Sequence, residues 1–219
     1  MKLTMSKLLF LFILTLSQQV LASPADDALL ELQHDWAVAN YDQKGDAQVA
    51  AFERLVEKSQ QATSAYPDAA GIWIWDGIIR SSFAGVRGGL GALSLAKESR
   101  ASLEKAMELD ANALDGSAYT SLGTLYFKVP GWPVGFGSDK KAASLLEQAL
   151  AINPDGIDPN YFYADYLISK KDYDEAERFL LKAQQATPRA GRERADAGRQ
   201  AEISDALASV REKLGRASS

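Results

Sequence analysis

The stretches AASLLEQALAINP, Ala142 to Pro154, and AERFLLKAQQATP, Ala176 to Pro188, carry alanine, alanine and proline at the same offsets, and the second follows the first by 34 residues. That period is the length of one helix-turn-helix unit. Small Ala142 and Ala149 let the second helix of a unit lie close against its neighbours. Pro154 then ends it, because proline lacks an N–H and its ring clashes with the preceding turn. The closing phase is met at Pro67, Ala111, Pro154 and Pro188, at intervals of 44, 43 and 34 residues. The first helices keep register too, through Trp73 and Gly77, then Tyr119, Leu122, Gly123 and Tyr126, then Tyr163, Ala164 and Leu167. No stretch alternates with period two. The expected fold is all-α, a short solenoid of paired antiparallel helices.

Trp73 and Gly77, and Tyr119 to Tyr126, follow the W-L-G-Y spacing in which a small residue admits the partner helix and aromatics fill the space around it. On these positions the chain resembles the tetratricopeptide-repeat (TPR) family. The resemblance is clean over 117–188, stretched over 69–116 and faint over 26–67, giving repeats at 69–116, 117–154 and 155–188. Asp76 stands where the family prefers Leu, Arg80 where it prefers Tyr, and Asn160 where it prefers Trp.

Nine helices are predicted, near 25–41, 47–65, 69–84, 91–110, 116–128, 139–152, 159–169, 173–186 and 190–214. Asp158 before Pro159 reads as an N-cap with proline at the first helical position, and Asp172 with Glu175 as a capping-box start. Lys44-Gly45-Asp46 and Lys170-Lys171-Asp172 read as tight turns. In the last helix Ile203, Leu207, Val210 and Leu214 make one apolar stripe, as expected of a helix that caps the exposed end of a solenoid. Arg189, Arg192, Arg194 and Arg199 alternate with Glu193, Asp196 and Glu202, a pattern expected of a solvated face.

Lys2 and Lys7 precede an apolar stretch, Leu8 to Leu16, and then Val20-Leu21-Ala22 with small residues suited to signal peptidase. Nine apolar residues fall short of the roughly 20 that span a bilayer as a helix. Residues 1–22 are therefore expected to be a cleaved signal, with 23–219 one helical domain in the periplasm or outside the cell and no stable membrane span. The chain has no cysteine, which excludes disulfides, thiolate metal sites and a thiol nucleophile. Without Lys2 and Lys7 the balance is 22 cationic against 29 acidic residues. That disfavours nucleic acid, whose affinity comes from Lys and Arg displacing counterions.

Two adjacent repeats carry insertions between their helices. Gly77 to Ser99 is 22 residues and Gly123 to Ala142 is 19, against about twelve in the repeat pattern. The first insert contains Gly85-Val86-Arg87-Gly88-Gly89-Leu90-Gly91, and the second runs from Val129 to Ser138 with Trp132 between Pro130 and Pro133. Both inserts are expected on one rim. Trp132 and Phe136 there either fold inward as a plug or form a lip facing a ligand, and Arg87 beside a helix start could hold an anion. The family's concave-face positions fall on Ile74, Ile78, Ser81 and Ser82, then Thr120, Thr124, Phe127 and Lys128, then Tyr161, Asp165, Ile168 and Ser169. By that resemblance these residues line a groove of mixed apolar and hydroxyl character, suited to a small organic ligand or a peptide helix.

No catalytic set emerges. His34 is the one imidazole and sits within a helix. Asn153 to Asp158 lacks the alternating ligands and terminal Glu of a calcium loop, and Gly88-Gly89-Leu90-Gly91 matches neither a phosphate loop nor a dinucleotide fingerprint. The expectation is a non-catalytic binding protein with no metal and no cofactor. Its partner is a protein or a small organic solute, with a scaffold for an envelope assembly as the alternative. Gly135, Gly137, Asp139, Lys141 and Ala142, in a secreted short solenoid, look somewhat like the periplasmic T components of TRAP-type solute transporters. That resemblance implies an oligomeric accessory protein that handles an organic solute.

Overall fold

The computed structural model describes residues 23–216; the expected signal, residues 1–22, lies outside the described residues. Nine α-helices follow one another among the described residues: α1 Pro24–Ala37, α2 Gly45–Ala65, α3 Ala70–Arg87, α4 Gly89–Asp110, α5 Ala113–Lys128, α6 Asp139–Ile152, α7 Ile157–Ser169, α8 Tyr173–Gln184 and α9 Glu193–Lys213. A π-helical turn, Val38–Asp42, continues α1. Strand pairing among the described residues is limited to one isolated bridge, Gly131 to Gly137.

Helix pairing follows the small residues. A Cβ on Gly77 would lie 2.6 Å from Leu103 Cγ, and one on Gly123 would lie 2.8 Å from Leu146 Cγ, so α3 meets α4, and α5 meets α6, across a missing side chain. Ser99 Oγ donates to the Gly77 carbonyl at 2.6 Å and locks the first of these contacts. Ala142, Ala149, Ala176 and Ala183 are all buried, as the 34-residue register requires, and so is Ala106, which stands 43 residues before Ala149. The first helices of the pairs, α1, α3, α5 and α7, are neighbours along the inner side of the stack.

The three departures from the repeat pattern have local explanations. Asp76, 2% exposed, accepts from Ser59 Oγ and Ser102 Oγ, each at 2.6 Å, and pairs with Arg80 Nε at 2.7 Å. A buried carboxylate is tolerable only with such partners. Asn160 is buried and its Nδ2 donates to the carbonyls of Pro154 and Gly156, both at 2.8 Å, pinning the turn before α7.

Two expected caps are corrected. Gly156, not Asp158, occupies the N-cap of α7, because the Asp158 carboxylate is held by arginines from the far end of the chain. Asp172 is the N-cap of α8 but makes no capping hydrogen bond, and Glu175 pairs instead with Arg178 Nη2 at 2.5 Å. A capping box not foreseen opens α1: Asp26 N–H donates to Ser23 Oγ, and the Ser23 N–H donates back to Asp26 Oδ2 at 3.0 Å.

Helix α9 does more than cap. Ile203, Leu207 and Val210 bury against Leu180, Ala183 and Ile157 of the last repeat, as the apolar stripe predicts. Its first turns, however, cross to the opposite end of the stack, and Ala195 joins the core built from α1 to α6. There His34 Nε2 lies 3.0 Å from the Gly191 carbonyl oxygen, and Arg194 pairs with Asp42. Gly198 packs so tightly on Tyr41 that a Cβ would sit 2.5 Å from the ring. The start of α9 thereby crosses the inner side of the stack from the last repeat to α1.

Candidate functional site

Closure leaves a central cavity of about 640 Å³ between the inner faces of α1, α3, α5 and α7 and the start of α9. Ile78, Ser81, Ser82, Thr120, Thr124 and Lys128, all expected on the concave face, line it. Three hydroxyls on its wall spend their hydrogens on backbone carbonyls: Ser81 on Ile78, Ser117 on Leu114 and Thr124 on Thr120, at 2.6 to 2.9 Å. They present acceptor oxygens to the cavity. Ser82 Oγ accepts from Trp36 Nε1 at 2.8 Å, which fixes that indole.

Other expected site residues lie elsewhere. Ile74 is fully buried, because it points into the α2–α4 core rather than along the inner face. Phe127 stacks edge-on against Tyr166 at 5.7 Å, and Asp165 is held by Lys128 Nζ at 2.7 Å, outside the cavity wall. Tyr161 lies beneath Arg199, whose guanidinium is 4.3 Å from its ring centre. Phe162, its neighbour, lines the cavity instead.

The insert residues are also relocated. The glycine-rich segment of the first insert is helix: α3 runs through Arg87 and α4 starts at Gly89, with positive φ at Gly88 and Gly89 making the reversal. Exposed Arg87 lies 5.5 Å from the Phe83 ring centre and is not part of the cavity. In the second insert the two aromatics part company. Phe136 turns inward, edge-on to Tyr126 at 5.6 Å and beneath Arg100 at 4.8 Å, while Trp132 is 90% exposed. A Cβ on Gly137 would fall 1.9 Å from the Val129 carbonyl oxygen and one on Gly135 2.4 Å from that of Pro130. These glycines admit the loop's own backbone.

Much of the wall went unforeseen. Trp36 and Trp75 meet edge to face at 5.5 Å, and Trp36 and Tyr41 at 5.6 Å, forming an aromatic corner. Burial pushes the Tyr41 phenol up to about 12, against the lowering effect of Arg199. Opposite stands the arginine run expected to face solvent. Arg199 is only 7% exposed and Arg189 and Arg192 line the cavity, because the seating of α9 on α1 turns this side inward, while Arg194 and Glu193 are exposed as the pattern predicts.

Asp158 anchors that cluster. Its Oδ2 lies 2.6 Å from Arg189 Nη1 and its Oδ1 2.9 Å from Arg199 Nε. Burial raises the Asp158 pKa, but the Arg199 and Arg189 charges outweigh it and hold the carboxyl at about 2. Arg189 is further clamped by Asp196, and Arg199 by Glu202. Leu114 and Asp115, with φ of 50° and 54°, and Gly116 at 74° form a left-handed turn that places the first two on the cavity wall. Gly116 fits tightly there, since a Cβ would be 2.9 Å from Ile152. The inward arginines had one readable signal, the cationic run beside an apolar stripe; only tertiary closure decides which way such a run points.

Residues 140–198 match the family model of the tetratricopeptide repeat. The fold is similar to the crystal structure of a thermophilic TPR protein of Thermus thermophilus, with a TM-score of 0.54 and 16% identity, covering 84% of this chain and 98% of that one. A comparison with the sequences of curated proteins gives no match. The repeat character is thus carried by sequence from α6 to the first turns of α9 and by fold over most of the chain.

Proposed function

We propose, with the tetratricopeptide-repeat fold as premise, that the chain is an exported, non-catalytic binding protein that holds a small organic solute in its central cavity. The observation that carries this is closure by α9. An open TPR groove accepts a peptide helix about 10 Å across, whereas here residues 189–199 cover part of the inner face and narrow it to a pocket. The volume of about 640 Å³ falls within the roughly 300–1,000 Å³ usual for small-molecule sites. Ile78, Leu114 and Phe162 together with the hydroxyl oxygens of the wall suit a solute with an apolar body and some polar groups.

Export rests on Lys2, Lys7 and the apolar Leu8 to Leu16. In keeping with cleavage after Ala22, the next residue, Ser23, is the N-cap of α1. A transporter accessory role is what the resemblance at Gly135, Gly137, Asp139, Lys141 and Ala142 implies. A second reading, a protein scaffold, is favoured by Trp132 and Val134, 90% and 65% exposed on the outer loop. Native mass spectrometry of the gently purified protein tests the choice. A co-purifying organic mass, lost when Thr124→Trp fills the cavity, supports solute binding; an empty protein that captures a protein partner only while Trp132 is present supports the scaffold.

A further inference from the structure

We propose that Arg192 is the anion-recognising group of the cavity, and that the solute is an organic carboxylate whose apolar body lies against the partly exposed Ile78, Leu114 and Phe162 of the wall. This rests on the cavity reading above and narrows it to a ligand class.

Three arginines stand on the α9 wall, and two are satisfied. Both oxygens of Asp158 are taken, one by Arg189 and one by Arg199. Both oxygens of Asp196 are taken as well, by the side chain and the backbone N–H of Arg189. Glu202 is engaged by Arg199. No carboxylate of this cluster remains for Arg192, and none of its side-chain nitrogens hydrogen-bonds to a described residue; its Nε is sealed from solvent without a partner. Lys128, the remaining cation of the wall, is engaged by Asp165. Asp155 is held by Lys182, and Asp115 is exposed.

The Arg192 guanidinium stands 4.8 Å from the Trp75 ring centre. A cation–π contact offsets only part of the cost of leaving the sealed Nε of this half-buried guanidinium unpaired. Burial and the neighbouring Arg189 charge both push its pKa down. A carboxylate entering the cavity supplies the missing partner, and the planar fork of arginine suits it in two-point contact. Trp36 and Trp75, 6% and 4% exposed, back that anchor from the core, while Ile78, Leu114 and Phe162 give the cavity its accessible apolar wall. The chemistry selects charge at one end and a flat or aliphatic body beside it.

The test uses an isosteric pair, indole-3-acetate and indole-3-acetamide, in calorimetric titrations of the whole protein and of Arg192→Gln and Arg192→Lys. The acid is expected to bind at least about tenfold tighter than the amide. That ratio should fall to about one in Arg192→Gln, with amide affinity unchanged, and survive in part in Arg192→Lys. Equal binding of acid and amide by the unaltered protein, or a preference that survives Arg192→Gln, overturns the role of Arg192 while leaving the cavity reading intact. Binding of neither probe overturns both.

Discussion

Asp76 and Arg80, one helical turn apart on α3, form an ion pair at 2.7 Å at two positions where the repeat pattern carries an apolar and an aromatic residue. The pair is buried, with side chains 2% and 12% exposed, and Arg80 also reaches Glu98. The two departures are therefore one substitution in physical terms: each residue compensates the other.

Removing one partner leaves a buried charge alone. Asp76→Ala is expected to lower stability by about 3 kcal/mol, measured by urea unfolding. The paired change Asp76→Leu with Arg80→Tyr should recover most of that loss, since the Ser59 and Ser102 hydroxyls also reach the Val56 and Glu98 carbonyls.

Two glycines of α3 should respond in opposite directions. Gly77→Ala drives a methyl onto Leu103 and is expected to cost about 1–3 kcal/mol. Gly85→Ala meets nothing within 4 Å and should gain up to about 1 kcal/mol from helix propensity. Thermal melts of the two variants check the pair.

Acid should loosen the α9 anchor. The Asp158 carboxyl is held at about 2 in the fold, below its ordinary 3.8. Between those values the unfolded chain binds more protons, so the contribution is fully present above about pH 4 and is lost as pH falls through 2. Its size is on the order of 2 kcal/mol. The urea midpoint of the unaltered protein should drop between pH 5 and pH 2.5, and the drop should be shallower in Asp158→Asn, which has no carboxyl to protonate at that position.

The loop aromatics should separate in a calorimetric scan. Trp132→Ala, at a side chain almost wholly in solvent, is expected to leave the melting temperature within about 1 °C. Phe136→Ala loses its contacts with Tyr126 and Arg100 and should cost about 1–2 kcal/mol. If the outer loop binds a protein partner, Trp132→Ala weakens that binding in a pull-down without changing the melt.

The paired helices are legible in the sequence because their determinants are local and periodic: Gly77, Gly123 and the alanines sit where two helices must touch. Boundaries differ where a helix continues through glycine, as α3 does past Gly85 to Arg87. On the inner face, Ile78 and Thr120 are readable from repeat position, but Ile74 is not, because a single residue step around a helix turns a wall position into core. The α9 wall is unreadable for a different reason. Arg189, Arg192 and Arg199 alternate with acids like any solvated face, and their inward direction depends on contacts with His34, Tyr41 and Asp42 far away in the chain. A cavity made by long-range closure leaves no periodic trace.

A crystal structure of the protein purified without denaturation tests the closed, solute-holding stack most directly. The expected result is α9 seated on α1 and electron density for one organic molecule between Ile78, Thr124 and Arg192. Density for water alone in that space, or α9 swung away from α1 to leave an open groove, would contradict it.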